Sequence, residues 1–389
     1  MLETPRANRL HIAFFGRTNS GKSTLLNRLA GQEISVVSDV SGTTTDPVYK
    51  SMELLPIGPV VLIDTAGLDD TTALGSLRTE KTREVMRKTD LAVLVVSSRA
   101  GDFSEEAEYL RLLEENKVKT VCVVNRIDGE DAPELPFFLP TLSLDARDAG
   151  QMGAFKKFLI QNAGTDFEIP FMTAHLVKEG GLVMLVMPQD IQAPKGRLIL
   201  PQVQMTRELL DRRCRVISVV PDGIAPMLAA LKEAPDLVIT DSQVFKQVNE
   251  LIPKEIPLTS FSVLLSENKG DIETFLEGAK AIRSLNPGDK VLIMEACTHH
   301  ALEGDIARQK LPKLLEKFVG GPVDFQVFSG PGFPENIRDY KLILHCGGCM
   351  INRKNMLSKL SEAQQYGVPV TNFGIAIAYM NGMMDRICW

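Results

Sequence analysis

A chain of 389 residues is too long for one ordinary hydrophobic core, and at roughly 150 residues per domain three domains are expected. With 44% hydrophobic and 24% charged residues, disorder is excluded as the main state of the chain. A net charge of −6 gives no general attraction to phosphate backbones, so no nucleic-acid partner is expected.

The opening residues, MLETPRANRLHIAFFG, lack a cationic stretch followed by a long apolar core and a cleavage site. No apolar run reaches the roughly 18 residues that span a bilayer. The expectation is a cytoplasmic chain with no membrane partner. In such a reducing compartment six cysteines do not make a disulfide framework, and a closely spaced pair points to metal or redox chemistry.

Apolar strands HIAFFG, VVLIDTAG, LAVLVVSS and KTVCVVN alternate with amphipathic helical stretches up to about residue 163. That pattern predicts a parallel α/β sheet buried on both faces. GTDFEIPF then reads as a linker. A second, smaller α/β unit follows, with strands LVMLVMP, RVISVVP and DLVITD. A third has strands KVLIMEAC, DFQVF, KLILHC and PVTNF, and helices over 305–319 and 353–366. The fold class expected is α/β throughout, with domains at 1–167, 168–264 and 265–389.

GRTNSGKS at 16–23 fits GxxxxGK[ST] between a predicted strand and a predicted helix. Such a turn wraps backbone N–H groups around a phosphate at a helix N-terminus; Lys22 reaches the β and γ oxygens and Ser23 ligates magnesium. Gly16, Asn19, Ser20, Gly21 and Thr24 complete the predicted cradle. DTAG at 64–67 places Asp64 in the magnesium shell and offers the Gly67 N–H to the γ-phosphate. In NRID at 125–128, Asn125 and Asp128 are the predicted base-reading residues. A carboxylate accepts two hydrogen bonds from guanine that adenine does not offer. Ser143 is expected to buttress that loop.

EACTHH at 295–300 and HCGGC at 345–349 both end predicted strands of the third unit. In an open parallel sheet the carboxyl ends share one edge, so Cys297, Cys346 and Cys349 are expected to converge there. Gly347 and Gly348 let the turn fold back, and a helix beginning near Asn352 would favour thiolates. Three thiolates with an open fourth position suit an iron–sulfur cube. Three cysteines with His299 or His345 would instead make a closed zinc site. Cys122, Cys214, Cys388, His11 and His175 read as packing or surface residues, and the run RTEKTREVMRK at 78–88 as a solvated helix face.

The nucleotide motifs resemble the translation-factor-like P-loop GTPases over about the first 163 residues. SGTTTDP at 41–47 is similar to switch I of Era and TrmE-like GTPases, which implies Thr44 or Thr45 as the sensor of the γ-phosphate and magnesium. Leu68 stands where Ras-like enzymes carry a water-orienting glutamine, so slow intrinsic hydrolysis is expected. Asn19 matches the asparagine that helps TrmE-like relatives hold potassium, and Arg126 replaces the usual lysine of NKxD.

A TrmE-like domain joined to CxH and a later HCxxC closely resembles the HydF family of FeFe-hydrogenase maturation GTPases over all three domains. The resemblance implies a scaffold with a 4Fe–4S cluster on Cys297, Cys346 and Cys349, with His299 or His345 as candidate fourth ligands. It further implies a di-iron precursor received from the radical-SAM maturases HydE and HydG and delivered to apo-hydrogenase HydA, and a homodimer formed through the middle domain. The alternative is a zinc-stabilised regulatory or RNA-associated GTPase of the TrmE/Era kind.

Overall fold

The computed structural model describes residues 5–31, 47–65, 73–163, 171–189, 198–296, 306–330 and 332–389, with backbone alone at 73–79. Two compact units divide the chain, Met1–Glu168 and Ile169–Trp389.

The first unit runs β1 (Leu10–Phe15), α1 (Lys22–Leu29), β2 (Val48–Leu54), β3 (Gly58–Asp64), α2 (Ala73–Lys88), β4 (Leu91–Ser97), α3 (Ser104–Glu115), β5 (Lys119–Asn125), β6 (Thr141–Leu144) and α4 (Met152–Ala163). Its described strands form a six-stranded sheet in the order β2-β3-β1-β4-β5-β6. The sheet is doubly wound because β1 is apolar on both faces. Ile12 and Phe14 pack with Leu25, Leu26, Phe155 and Leu159 on one side, and Ala13 and Phe15 with Val85, Met86, Tyr109 and Leu113 on the other. All pairings are parallel except β2 with β3. That edge strand was not among the predicted ones. VYKSMEL alternates exposed and half-buried positions, so it lacks the apolar run that marks its neighbours.

The second unit continues with β7 (Leu182–Val186), α5 (Leu200–Asp211), β8 (Arg215–Val219), α6 (Ile224–Ala230), β9 (Leu237–Thr240), α7 (Phe245–Leu251), β10 (Leu258–Ser260) and α8 (Phe261–Lys269). Then come α9 (Ile272–Lys280), β11 (Lys290–Glu295), α10 (Leu311–Val319), β12 (Asp324–Ser329), β13 (Leu342–His345), α11 (Arg353–Gln365), β14 (Val370–Asn372) and α12 (Phe373–Met380). Two parallel four-stranded sheets result, β10-β9-β7-β8 and β12-β11-β13-β14.

These sheets share one apolar core, in which Met184, Val238 and Leu258 meet the cluster containing Ile293, Leu342 and Leu344. The expected boundary at 264/265 falls inside α8, whose Val263 faces that shared core while Phe261 and Leu264 pack with Met205 and Leu209. Among the described residues no helix is long and apolar enough to cross a membrane.

Candidate functional site

At the carboxyl end of β1 the chain turns through the GRTNSGKS segment into α1. Gly21 has φ +102°, and a Cβ there would meet Asn125 Nδ2 at 2.2 Å, so both backbone shape and space require glycine. Lys22 is buried and its ammonium donates to the carbonyls of Gly16 (2.7 Å) and Arg17 (2.6 Å). Ser23 Oγ donates to Asp64 Oδ2 at 2.5 Å, which joins the two predicted magnesium-shell groups. Burial pushes the Asp64 carboxyl above its ordinary range, against the Ser23 hydrogen bond and the Lys22 and Lys50 charges.

Asn125 ties the turn to the base side. Its Nδ2 donates to Ser20 O at 3.0 Å, and its Oδ1 accepts from Ala146 N at 2.9 Å. Between these segments lies a cavity of ≈ 100 Å³, lined by Asn19, Gly21 and Thr24 on one side and by Asn125–Ile127 and Asp145–Arg147 on the other.

Asp128, held at φ +54°, accepts from Arg99 Nη2 at 2.8 Å and from Arg147 Nη1 at 3.3 Å. Ser143 is exposed on β6 and lines no part of the cavity. The parallel register pairs Asn125 with Leu144, so the residues beyond the strand end, Asp145 to Arg147, line the cavity. Arg17 also went unread: its Nε donates to both carboxylate oxygens of the buried Glu106 at 3.1 Å, which fastens the turn to α3. Thr44, Thr45, Gly67 and Leu68 lie outside the described residues.

A second glycine turn follows β13. Cys346 N donates to Met294 O at 2.9 Å, and Ala296 N donates to Cys346 Sγ at 3.1 Å. Ala296 is the chain neighbour of Cys297; Cys297 and His299 lie outside the described residues. Gly348 has φ +62° and a Cβ there would meet Met356 Cε at 2.4 Å, whereas a Cβ at Gly347 would meet nothing within 4 Å. The helix expected near Asn352 begins at Arg353, with Asn352 as N-cap accepting from Asn355 N at 3.1 Å.

His345 is 2% exposed, with Nδ1 2.7 Å from Cys346 O and a buried Nε2 that has no hydrogen-bond partner among the described residues. Burial pushes its pKa down to about 4, so the ring is neutral at pH 7. Beneath the turn, the buried Lys269 ammonium donates to the carbonyls of Gly348, Cys349 and Ile351, and burial lowers its pKa to about 8. Burial raises the Cys349 thiol, with Lys269 acting in the opposite sense. Among the described residues no three His, Cys, Asp or Glu side chains are grouped to hold a metal ion.

Residues 172–270 match the family described as the hydrogen maturase F dimerization domain, and 273–388 the hydrogen maturase F tetramerization domain. Residues 11–126 match the 50S ribosome-binding GTPase family. The chain belongs to the HydF family.

This HydF chain therefore carries oligomerisation domains behind a GTPase domain. Over 186 residues it is 33% identical to the tRNA modification GTPase MnmE of Nitrosomonas europaea, covering 47% of this chain and 41% of the relative. Over 121 residues it is 39% identical to the GTPase Der of Streptococcus suis, covering 31% of this chain and 28% of the relative. The HydF chain thus spans less than half the length of these curated relatives.

Among solved structures it is similar to the G domain of the T. maritima FeoB iron transporter, at 21% identity and TM-score 0.32, over 40% of this chain and 99% of that one. It is also similar to a probable GTP-binding protein engB, at 20% identity and TM-score 0.32, over 39% and 98%.

Proposed function

We propose that this HydF chain is a cytoplasmic GTP-hydrolysing scaffold that carries a 4Fe–4S cluster and passes a di-iron precursor to apo FeFe-hydrogenase. The first 167 residues take GTP, the segment from 168 to the end of α8 forms the homodimer, and the remainder carries the cluster. HydE and HydG supply the precursor and HydA receives it.

Lys22 leaves the carbonyls of Gly16 and Arg17 to meet the β- and γ-phosphates of the substrate GTP. Ser23 and Asp64 orient the magnesium shell with Thr44 or Thr45, Gly67 contacts the γ-phosphate, and Asn19 helps hold potassium. Asn125 braces the base pocket through Ser20 and Ala146, and Asp128 reads the guanine edge. GTP-dependent ordering of 41–47 and of the segment after Gly67 biases contacts with the partner proteins.

Cys297, Cys346 and Cys349 would hold the cluster, which supplies soft iron with an exchangeable coordination position when bound. One observation carries this reading: the amide beside Cys297 donates to the Cys346 sulfur at 3.1 Å, 50 positions along the chain. The donor chemistry fits as well. Among the described residues nothing crowds Gly347 and the buried His345 Nε2 is an unpartnered acceptor, in the segment that carries both cysteines.

Anaerobic reconstitution with iron and sulfide tests it. Wild type is expected to take about four irons per chain and to absorb in the visible, with Cys346→Ala and Cys297→Ala losing both. A wild type that stays colourless and takes up zinc instead would replace the carrier reading with a zinc-stabilised regulatory GTPase.

A further inference from the structure

α8 ends beneath the cysteine turn, and the contact between them is reciprocal. Lys269, its last residue, sends its ammonium to the carbonyls of Gly348 (3.4 Å), Cys349 (3.1 Å) and Ile351 (2.9 Å). Arg353, the first residue of α11 just past the turn, sends Nη1 back to the terminal carbonyls of α8. It donates to Glu267 O (3.3 Å), Gly270 O (3.1 Å) and Asn268 O. Each cation thus donates to carbonyl groups of a helix end or a glycine turn, Gly348 O accepting from Ile351 N as well.

Lys269 is only 3% exposed, yet among the described residues no carboxylate pairs with it. Charged side chains are seldom buried without a counter-charge, because desolvation costs more than neutral carbonyls return. A positive charge kept beside Cys349 in this way suits a turn that receives an anionic, thiolate-held group. α8 lies in the segment matched to dimerization and the turn in the segment matched to tetramerization, so the contact also joins the two modules.

We infer that Lys269 and Arg353 are positioning residues of the HCGGC turn: they hold its Gly348–Ile351 part, with Cys349, against the end of α8, and Lys269 supplies the internal counter-charge for the group that the turn's cysteines bind. The counter-charge half rests on the cluster reading above; the positioning half does not.

Two readouts on the full-length chain separate them. In metal-free protein, hydrogen exchange of peptides covering 346–352 should accelerate about tenfold or more in Lys269→Met, which loses all three hydrogen bonds to the turn's carbonyls. It should stay near wild type in Lys269→Arg, while amides of β11 and of Leu342, Ile343 and Leu344 in β13 remain unchanged as the folding control. Arg353→Met, at an exposed position, should accelerate the same peptides and serves if Lys269→Met does not fold.

In reconstituted protein, Lys269→Met should keep its iron content but show a lower midpoint potential by EPR-monitored titration, because the reduced, more negative cluster loses a nearby cation. Unchanged exchange in both Met variants overturns the clasp, and an unchanged potential overturns the counter-charge. Failure of wild type to take iron overturns the cluster reading and the counter-charge with it, while the exchange arm still decides the clasp.

Discussion

The P-loop and the HCGGC turn are the same device built twice: a buried parallel strand, a glycine turn at its carboxyl end, and a helix beyond, with a lysine ammonium on the turn's carbonyls. They differ in where the lysine comes from. Lys22 stands at the start of the turn's own helix and touches two carbonyls it can exchange for phosphate oxygens. Lys269 reaches in from α8 and closes three carbonyls from below.

The largest test of this contrast is Lys22→Ala. Steady-state GTP hydrolysis should fall by about 100-fold or more, with iron uptake at the second turn unchanged. Hydrolysis within tenfold of wild type would remove the P-loop from the comparison.

Next is Gly278→Ala, which attacks the other side. A Cβ on α9 would meet Val370 O at 1.9 Å and Val370 C at 2.4 Å, both backbone atoms of β14, beside β13 in the sheet. The cost should be about 3 kcal/mol in the urea transition of the second unit, with GDP affinity intact. A loss of GDP affinity of similar size would mean that the two ends are not independently stable.

A third test uses His11, on the strand feeding the P-loop as His345 is on the strand feeding the cysteine turn. Burial holds His11 down to about 4 from an ordinary 6.5, although Asp90 lies 3.7 Å from its Nδ1. The unfolded chain therefore binds a proton that the folded chain refuses. Stability is fully present above pH 6.5 and is lost as pH falls from 6.5 towards 4, by about 2 to 3 kcal/mol. Urea titrations at pH 7 and pH 5 should show this in the first unit, and His11→Gln should flatten that dependence.

The smallest effect is expected for Arg99→Ala. Arg99 and Asp128 are 53% and 59% exposed, so their contact is a solvated counterpart of the buried Lys269 cation. GDP affinity should drop by at most about fivefold, less at high salt. A larger, salt-independent loss in fluorescent-GDP titrations would make Arg99 part of the base pocket itself.

Much of this was legible in the residues alone. GRTNSGKS, NRID and HCGGC stand at strand ends as read, because a turn's glycines and the apolar run before it lie within a few residues of each other. β2 escaped notice, since a half-exposed edge strand carries Lys50 and Glu53 where buried strands carry valine. Two residues beyond Ser143, only the pairing of Asn125 with Leu144 shows that Asp145 to Arg147 reach the cavity beside the P-loop. The boundary drawn at 264/265 cut a helix, because nothing in the chain's composition reports that two sheets share a core.

By itself the sequence determined the α/β alternation, the glycine turn of the P-loop and the glycine turn between Cys346 and Cys349, since each depends on residues close along the chain. Tertiary structure alone decided that Ala296 meets Cys346, that Asp128 lies between Arg99 and Arg147, and that Lys269 closes the cysteine turn. Those contacts depend on strand register and on which helix end a sheet edge faces. Both are set by the burial of the whole core, which leaves no local mark on the residues that meet.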